Sequence, residues 1–323
     1  MPPRRADVEA AGMNGVVLRS LLFVPGDSER KLAKGLVSGA DALIFDLEDS
    51  VAAERLPFAR GQVLEFLQAH AAGAHPQLWV RVNALSSGRL YEDATAVIAG
   101  RPAGLVLPKV DSYADIERIA LTLEAIEAGH GIAVGSTALV VIGTETPAGL
   151  LALPSYPQAA AVHRASARRL AGLTWGMEDL SAALGARIRS DAAGALRPAF
   201  EHARTTCLLT AAALGVQAID GVYVDFRDAQ GLRGQTERAR EDGFTGKLAI
   251  HPDQVGVINA VFTPSLAELD WARRVVAAFE AAGGAGVTSL DGRMIDRPHW
   301  LLARRILASG AARSPEARPE ANT

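Results

Sequence analysis

The chain has little of several features that mark specialised protein classes. Only one of its 323 residues, Cys207, is a cysteine, which excludes an internal disulfide and a thiolate metal cluster and favours a reducing compartment, the cytoplasm by default. Apolar runs fall well short of the ~20 residues needed to cross a bilayer, and the polar start MPPRRADVEAAGMNG lacks the apolar segment of a secretory signal. We therefore expect a protein that neither spans a membrane nor is secreted by that route.

An excess of positive charge is also missing. Lys and Arg number 33 against 36 Asp and Glu, a formal net charge of −3, so no net positive field favours nucleic acid or an anionic membrane surface. Aromatic residues are scarce at 5%, but 49% of the residues are hydrophobic, which is enough for a large core. The composition predicts a globular protein whose partners are neither nucleic acids nor membranes.

Eight short apolar runs alternate along the chain with longer stretches at helical spacing. Most of the runs are continuously apolar, which is typical of parallel strands covered on both faces. Helical spacing is clearest over 28–39, 111–129 and 197–215. The predicted strands are 18–24, 42–47, 78–83, 104–109, 138–143, 172–177, 221–226 and 247–251.

The number and spacing of these units predict the fold class. From Leu18 to Phe262 they cover roughly 245 residues, close to the ~250 typical of a (β/α)8 barrel, and a doubly wound open sheet is the alternative. We place the barrel at 16–263, with small, polar tails at 1–15 and 311–323.

A further segment, 264–310, lies beyond the predicted barrel. It contains helical spacing over 266–283 and again over 291–307, on either side of a glycine-rich break. We interpret it as an appended helical lid or an oligomer contact.

Polar residues follow the predicted strands, where barrel enzymes carry their function. Carboxylates dominate, and several facing one cavity would repel one another unless a cation offset them. Oxygen ligands of this kind favour Mg²⁺ or Mn²⁺ over Zn²⁺. The strand-end residues are Asp46, Glu48, Asp49, Arg81, Asn83, Lys109, Glu145, Glu178, Asp179, Asp225, Asp228, His251 and Asp253, with Arg19 and Asp27 around the first strand.

Glu145 and Asp179 are the sharpest pair among these residues. They follow strands that would be neighbours in the barrel, so their carboxylates would lie side by side as ligands of one cation. The alternative is a solvated rim carboxylate for Glu145 and a helix N-cap for Asp179. Spacing alone leaves both interpretations open.

Arg81 is unusual because it lies within an apolar strand, LWVRVN. A buried guanidinium is rarely left unpaired. It either bridges rim carboxylates or binds an anionic substrate, and the residues alone do not decide between these roles.

These motifs together resemble the citrate lyase beta-subunit-like family, which includes malyl-CoA, methylmalyl-CoA and citramalyl-CoA lyases. The resemblance runs in order through the barrel. It implies a Mg²⁺-dependent (β/α)8 lyase that makes or breaks a carbon–carbon bond between a CoA or carrier thioester and a 2-oxo acid, commonly in trimers or larger assemblies. It rests on RSLLFVPGDSERKLAKGLVSGADALIFDLEDSVA, WVRVNAL, LVLPKV, GTETPAGLL, LTWGMEDLSAALG and GKLAIHPDQVGVINAVFTPS.

The resemblance also implies roles for particular residues. The family's two metal ligands match Glu145 and Asp179, and its substrate-binding arginine matches Arg81. The acidic cluster after the second strand, near the metal's waters in relatives, matches Asp46 and Glu48.

A C-terminal lid in the related lyases supplies an aspartate to the adjacent subunit's active site. The motif DGRMIDRP places Asp296 at that position, which favours the CoA lyases over a stand-alone carrier-dependent subunit. We predict that Asp296 is the acid or base that exchanges a proton with the thioester enolate.

The first strand–helix unit resembles the region that helps to hold CoA in relatives. Arg19, Phe23, Arg30 and Lys31 are the candidates for that contact, and Arg19 is favoured because it enters a strand. Lys34 is better explained as part of a solvated helix face.

Three further residues have weaker functional signals. His251 precedes a proline at a strand end and either exchanges protons or orients a loop. Cys207 is expected in the core, and His299 is expected to be structural or on the surface.

The sequence therefore predicts a Mg²⁺-dependent lyase acting on malyl-CoA, citramalyl-CoA or citryl-CoA, assembled as a homo-oligomer, a trimer or hexamer. Two alternatives stay open. One is malate or citramalate synthesis, in which the thioester is hydrolysed after condensation. The other is a non-catalytic subunit that binds CoA or an acyl carrier.

Overall fold

The structure, a computed structural model, describes residues 17–70, 76–192, 194–282 and 286–311. Eight parallel strands close into a barrel in chain order, with helices around it. This confirms the predicted (β/α)8 barrel over the open sheet. The predicted tail 1–15 lies outside the described residues, as does 311–323 apart from residue 311, which ends the last helix.

The bounds of the elements follow the chain. The barrel strands are β1 Ser20–Pro25, β2 Ala42–Asp46, β3 Gln77–Arg81, β4 Gly104–Leu107, β5 Ala138–Ile142, β6 Leu170–Thr174, β7 Gln217–Asp220 and β8 Gly246–Ala249. The helices that accompany them are α1 Glu29–Leu36, α2 Leu56–Ala69, α3 Leu90–Ile98, α4 Tyr113–Gly129, α5 Pro147–Ala152, α6 Tyr156–Val162, α7 Arg164–Arg169, α8 Met177–Leu184, α9 Pro198–Leu214, α10 Ala229–Asp242 and α11 Pro252–Phe262. Beyond the barrel lie α12 Leu266–Ala281, the strands β9 Val287–Leu290 and β10 Arg293–Asp296, and α13 Arg297–Ala311.

The barrel strands are mainly apolar because both of their faces are buried. Leu21, Ile44 and Val106 belong to the cluster that fills the barrel. Their neighbours Leu22 and Phe45 pack outward with the helices in a second, larger cluster. This alternation explains why the runs show no polar face.

The seventh strand differs from the prediction. Residues 221–226, although apolar and β-branched, form a loop after β7. The strand itself ends at Asp220, whose buried carboxylate is paired with Lys247 on β8 at 2.6 Å, so a polar pair replaces the expected apolar pattern. Neither Asp225 nor Asp228 ends a strand, and Asp228 instead caps α10.

The C-terminal segment is a helix, a hairpin and a second helix. Its extensive contacts are among its own elements, around a small core that includes Val275, Phe279 and Ile295. The predicted helix over 291–307 is wrong at its start, because β10 pairs there with β9. A two-residue Asp-Gly turn at 291–292, with φ of 49° and 73°, is a strong hairpin signal that the helical spacing obscured.

The core position predicted for Cys207 is confirmed. Cys207 is free and buried, and burial raises the pKa of its thiol, which suits a core residue. None of the described helices has the length and apolarity to cross a membrane.

A buried ion pair outside the barrel joins α4 to α7. Arg169 donates to both carboxylate oxygens of Glu127, at 2.9 and 2.7 Å, and the two side chains are only 1% and 0% exposed. Burial alone would raise the pKa of Glu127, but Arg169 and the backbone N–H groups of Gly135 and Thr137 lower it to about 2.

Removing Arg169 should therefore leave the buried carboxylate of Glu127 without a cation beside it. We expect Arg169→Met to lower the free energy of unfolding by about 3–5 kcal/mol, measured by urea denaturation at pH 7. Because the pKa of Glu127 falls from 4.5 to about 2 on folding, the stabilising effect is full above its unfolded value and is lost as the pH drops towards 2. The difference between wild type and variant should shrink over that range.

The double variant Glu127→Gln/Arg169→Met is the control for this prediction. Removing both charges should recover part of the stability, since no uncompensated charge stays buried. A single variant as stable as wild type would show that the pair contributes nothing.

Candidate active site

Asp46 and Arg81 pair at the mouth of the barrel. They are cross-strand partners at the carboxyl ends of β2 and β3, and Arg81 donates two hydrogen bonds to the Asp46 carboxylate, at 2.7 and 2.8 Å. Burial would raise the pKa of Asp46, but Arg81 and the neighbouring N–H groups lower it. Asp46 is thus a carboxylate that fixes the guanidinium in position.

Arg81 is held on several sides. Its guanidinium lies 4.8 Å from the centre of the Phe23 ring, and its Nη1 lies 3.1 Å from Glu48 Oε2. Its side chain is 12% exposed. In this structure Arg81 therefore bridges rim carboxylates, which is one of the two roles that the sequence left open.

Lys109 connects the ends of β2, β4 and β6. Its ammonium donates to Glu48 at 2.6 Å and lies 3.3 Å from an oxygen of Asp49 and 3.5 Å from Asp179 Oδ1. Burial raises the pKa of Glu48 to about 7 despite the nearby cations Arg81 and Lys109. Glu48 can therefore hold or release a proton near neutral pH.

Glu145 lies just beyond the end of β5 and is almost completely buried, at 4% exposure. The backbone N–H of Lys109 donates to its Oε2 at 2.6 Å. Gly176 makes room for it, since a Cβ there would lie 2.6 Å from Glu145 Cγ. Burial, together with repulsion by Asp179 and Glu48, raises the pKa of Glu145 to about 8.

Asp179 lies in the first turn of α8, directly after β6. The N-cap of this helix is Gly176, so the alternative in which Asp179 serves as the N-cap is wrong. Its side chain is 34% exposed and approaches Lys109. The first turn of a helix favours negative charge, which helps to hold a carboxylate opposite Glu145.

This set of oxygen donors fits a hard divalent cation. Carboxylates gathered at one end of the barrel repel one another, and a divalent ion would offset that repulsion. Within the described part of the chain no three His, Cys, Asp or Glu side chains converge closely enough to hold an ion by themselves. Water and substrate would therefore complete the coordination of an ion held by Glu145 and Asp179.

The four residues predicted to contact CoA fall in three places. Phe23 lies under Arg81, within the site, and Arg30 and Lys31 are exposed in the first turn of α1, at the same end of the barrel. Arg19 precedes β1 and so lies at the opposite end, where it donates to Asp41 at 2.6–2.9 Å. The structure does not bring Arg19 to this site, because a residue that enters a strand lies at its amino end.

Asp296 lies at the end of β10, in the C-terminal segment. Its carboxylate is 2.5 Å from His299 Nδ1, so His299, predicted to be structural or a surface residue, is the partner of Asp296. An ion pair between the segment and the barrel joins Glu268 to Arg240 at 2.6 Å. Among the hydrogen bonds and ion pairs of the described residues, those of Asp296 are with His299 and none is with Glu145 or Asp179.

The structure adds contacts that the sequence did not predict for Lys109 and Asp49, and it favours one of the two roles predicted for His251. Lys109 and Asp49 stood at strand ends without a role, and only closure of the barrel shows that they meet. His251 caps α11, where its Nδ1 accepts the N–H of Asp253 at 3.3 Å, and its ring stacks on Phe226 at 4.8 Å. The capping supports the loop-orienting alternative for His251.

The chain that forms this site matches a known protein family. The family model for HpcH/HpaI aldolase/citrate lyase matches residues 19–252. The chain belongs to this family. Its lyase relatives place it among the enzymes that act on carbon–carbon bonds.

The relatives in this family include several activities. The chain is 38% identical to a (3S)-malyl-CoA thioesterase of Cereibacter sphaeroides, over 91% of this chain and 95% of that one. It is 36% identical to citrate lyase subunit beta of Escherichia coli, over 90% and 92%, and 34% identical to human mitochondrial citramalyl-CoA lyase, over 87% and 82%.

Solved structures in the family agree with the fold described above. The crystal structure of CitE from Mycobacterium tuberculosis in complex with magnesium, acetoacetate and coenzyme A matches with a TM-score of 0.70 at 30% identity, over 92% of this chain and 99% of that one. A second CitE structure, with magnesium and acetoacetate, matches with a TM-score of 0.65 at 29% identity, over 79% and 94%.

Proposed function

We propose that this enzyme is a Mg²⁺-dependent lyase that cleaves or forms a 3-hydroxyacyl-CoA acid, with malyl-CoA, citramalyl-CoA or citryl-CoA as substrate. The observation that carries the proposal is the cluster of Glu145, Asp179 and Arg81 at one end of the barrel. The magnesium and coenzyme A of the CitE complex support the same chemistry here. Mn²⁺, which accepts the same oxygen donors, is expected to substitute.

The residues divide the work of cleavage between them. Held by Glu145 and Asp179, the metal would polarise the hydroxyl and carboxylate oxygens of the substrate. Arg81, fixed by Asp46, would bind the carboxylate and stabilise negative charge on the oxygen that becomes a carbonyl. The hydroxyl loses its proton, for which Glu48 has a suitable pKa.

The broken carbon–carbon bond leaves its electron pair on the thioester as an enolate. That carbon must gain a proton, and we assign the donor to Asp296 of an adjacent subunit. The C-terminal segment supports this role, because its extensive contacts are internal and the partner of Asp296 among the described residues is His299 of the same segment. We propose a trimer or hexamer in which this lid closes the neighbour's barrel.

The product balance of the reaction tests the proposal. With Mg²⁺ and each of malyl-, citramalyl- and citryl-CoA, we expect one of these substrates to yield a 2-oxo acid and an acyl-CoA in equal amounts. The assay follows the oxo acid as its hydrazone and free thiol with a thiol reagent. The absence of any oxo acid from all three thioesters would contradict the lyase.

Thioester hydrolysis is the second candidate. The malyl-CoA thioesterase relatives, at 38% identity, favour it specifically. In this case free CoA should appear together with a hydroxy acid, and no oxo acid should accumulate. If the protein showed neither activity on any thioester, the non-catalytic binding subunit would be the remaining alternative. The complete set of site residues argues against that outcome.

The remaining proposals concern binding and location. Phe23, Arg30 and Lys31 lie at the site's end of the barrel and are candidates for the CoA contact. We propose a cytoplasmic location because the single cysteine is free and buried.

A further inference from the structure

The acidic end of the barrel contains a lysine side chain, that of Lys109, among several carboxylates. Lys109 contacts both proposed metal ligands, with its backbone N–H 2.6 Å from Glu145 Oε2 and its ammonium 3.5 Å from Asp179 Oδ1. The ammonium is also 2.6 Å from Glu48 Oε1. Three carboxylates from three different strand ends thus converge on one residue.

Arg81, the other cation of this cluster, is fixed in place. Its two hydrogen bonds to Asp46 and its stacking on Phe23 hold a planar group whose side chain is 12% exposed. Lys109 ends in a compact charge on a flexible stem, and its side chain is 26% exposed. Of these two cations, Lys109 is therefore the one with both the freedom and the solvent access to leave.

The position of the ammonium matters because positive charge is scarce here. Two cations, Arg81 and Lys109, face five carboxylates in this cluster. An ammonium and a divalent ion cannot share the gap beside Asp179 without strong repulsion. The carboxylates are those of Asp46, Glu48, Asp49, Glu145 and Asp179.

We propose that Lys109 is a positioning residue that acts as a stand-in cation. In the metal-free enzyme its ammonium neutralises Glu48, Asp49 and Asp179, and it withdraws towards solvent when a divalent ion binds. Its backbone N–H stays on Glu145 and keeps that ligand oriented. This inference rests on the proposed function only in that Glu145 and Asp179 hold the metal. The Lys109 ammonium competes with the metal ion and so lowers the affinity of the site for it.

Replacement of the ammonium gives the first test. Lys109→Met keeps the stem but loses the charge, so we expect Mg²⁺ to bind more tightly, by about tenfold in dissociation constant. Isothermal titration with MgCl₂ alone measures this without substrate or turnover. The variant should also melt at a lower temperature than wild type without metal and should gain more from saturating Mg²⁺.

Two variants control for charge and for position. Lys34→Met removes a positive charge from the exposed face of α1 and should leave Mg²⁺ affinity unchanged. Lys109→Arg keeps a cation in the gap and should not tighten binding. Equal or weaker Mg²⁺ binding by Lys109→Met would overturn the inference.

Labelling of the wild-type enzyme gives a second test that requires no variant to fold. The chain has only four lysines, so acetylation followed by peptide mass spectrometry resolves each one. Saturating Mg²⁺ should increase the acetylation of Lys109 several-fold and leave Lys34 unchanged. Lys109 acetylation that stays the same or falls would mean that its ammonium does not leave.

The outcomes separate this inference from the proposed function. An enzyme that binds no Mg²⁺ would overturn both. An enzyme that binds Mg²⁺ and cleaves a CoA thioester, with the same affinity in Lys109→Met as in wild type, would overturn the role of Lys109 alone.

Discussion

Glu145→Gln should abolish both metal binding and turnover. The substitution keeps the size of the side chain and an oxygen that can accept the hydrogen bond from the Lys109 N–H. It removes one of the two negatively charged metal ligands. With only Asp179 left to hold the ion, we expect at least about a thousandfold loss of kcat/KM, or ~4 kcal/mol of transition-state stabilisation. Mg²⁺ titration and the oxo-acid assay, performed on the same preparation, measure the two losses.

The stability of this variant separates loss of function from loss of fold. Glu145 is buried and repelled by Asp179 and Glu48, so its neutral replacement should not lower the melting temperature of the metal-free enzyme. Mg²⁺ should raise the melting temperature of wild type but not that of the variant.

A matched variant completes the comparison. Glu237→Gln removes a carboxylate from an exposed ion pair with Arg233, at 3.8 Å, which contributes little to stability. It should keep wild-type Mg²⁺ affinity and activity. Wild-type affinity in Glu145→Gln would contradict its assignment as a ligand.

The barrel was predictable from the sequence because burial on both faces leaves continuous apolar runs. The same criterion placed the seventh strand at 221–226, directly after its observed position at Gln217–Asp220. Its last residue, Asp220, is an outward-facing charge neutralised by Lys247 from the next strand, and no local pattern reveals a partner 27 residues away. The apolar loop that follows it resembled a strand more closely than the strand did.

The candidate site was predictable to the extent that it follows from strand ends. Asp46 and Arg81 meet because their strands are neighbours in register. Lys109 could be placed at the end of a strand, but its contacts with Glu48 and Asp179 reach across the barrel mouth and depend on side-chain length and closure. The position of Arg19 at the far end, in contrast, was available from strand direction alone.

The C-terminal segment requires its own prediction, since the partner of Asp296 among the described residues is His299 of the same segment. Asp296→Ala should bind Mg²⁺ as wild type does, because it leaves Glu145 and Asp179 intact. Without the proton donor, turnover should fall by about 10²- to 10⁴-fold. The control is Asp291→Asn, which disrupts an exposed pair with Arg274 in the same hairpin and should remain active.

Mixing two inactive variants tests whether the site is shared between subunits. In an oligomer assembled from Asp296→Ala and Glu145→Gln chains, some barrels with intact metal ligands receive an intact lid from the neighbour. If each site combines one chain's barrel with another chain's lid, every mixed trimer holds one complete site out of three. A sample freed of homo-oligomers should therefore have roughly a quarter to a third of wild-type activity, with the higher value expected for a trimer. Co-expression of two differently tagged chains, followed by purification on both tags, provides the mixed oligomer.

The result of mixing depends on which chain carries each half of the site. A lid that served its own barrel would leave every site with one defective half, so mixed oligomers would stay as inactive as their parents. Recovery therefore requires Asp296 to act across an interface, which would explain why the C-terminal segment packs mainly on itself. Full activity of Asp296→Ala alone would remove this residue from the mechanism and return the search for the proton donor to the barrel, where Glu48 has a suitable pKa.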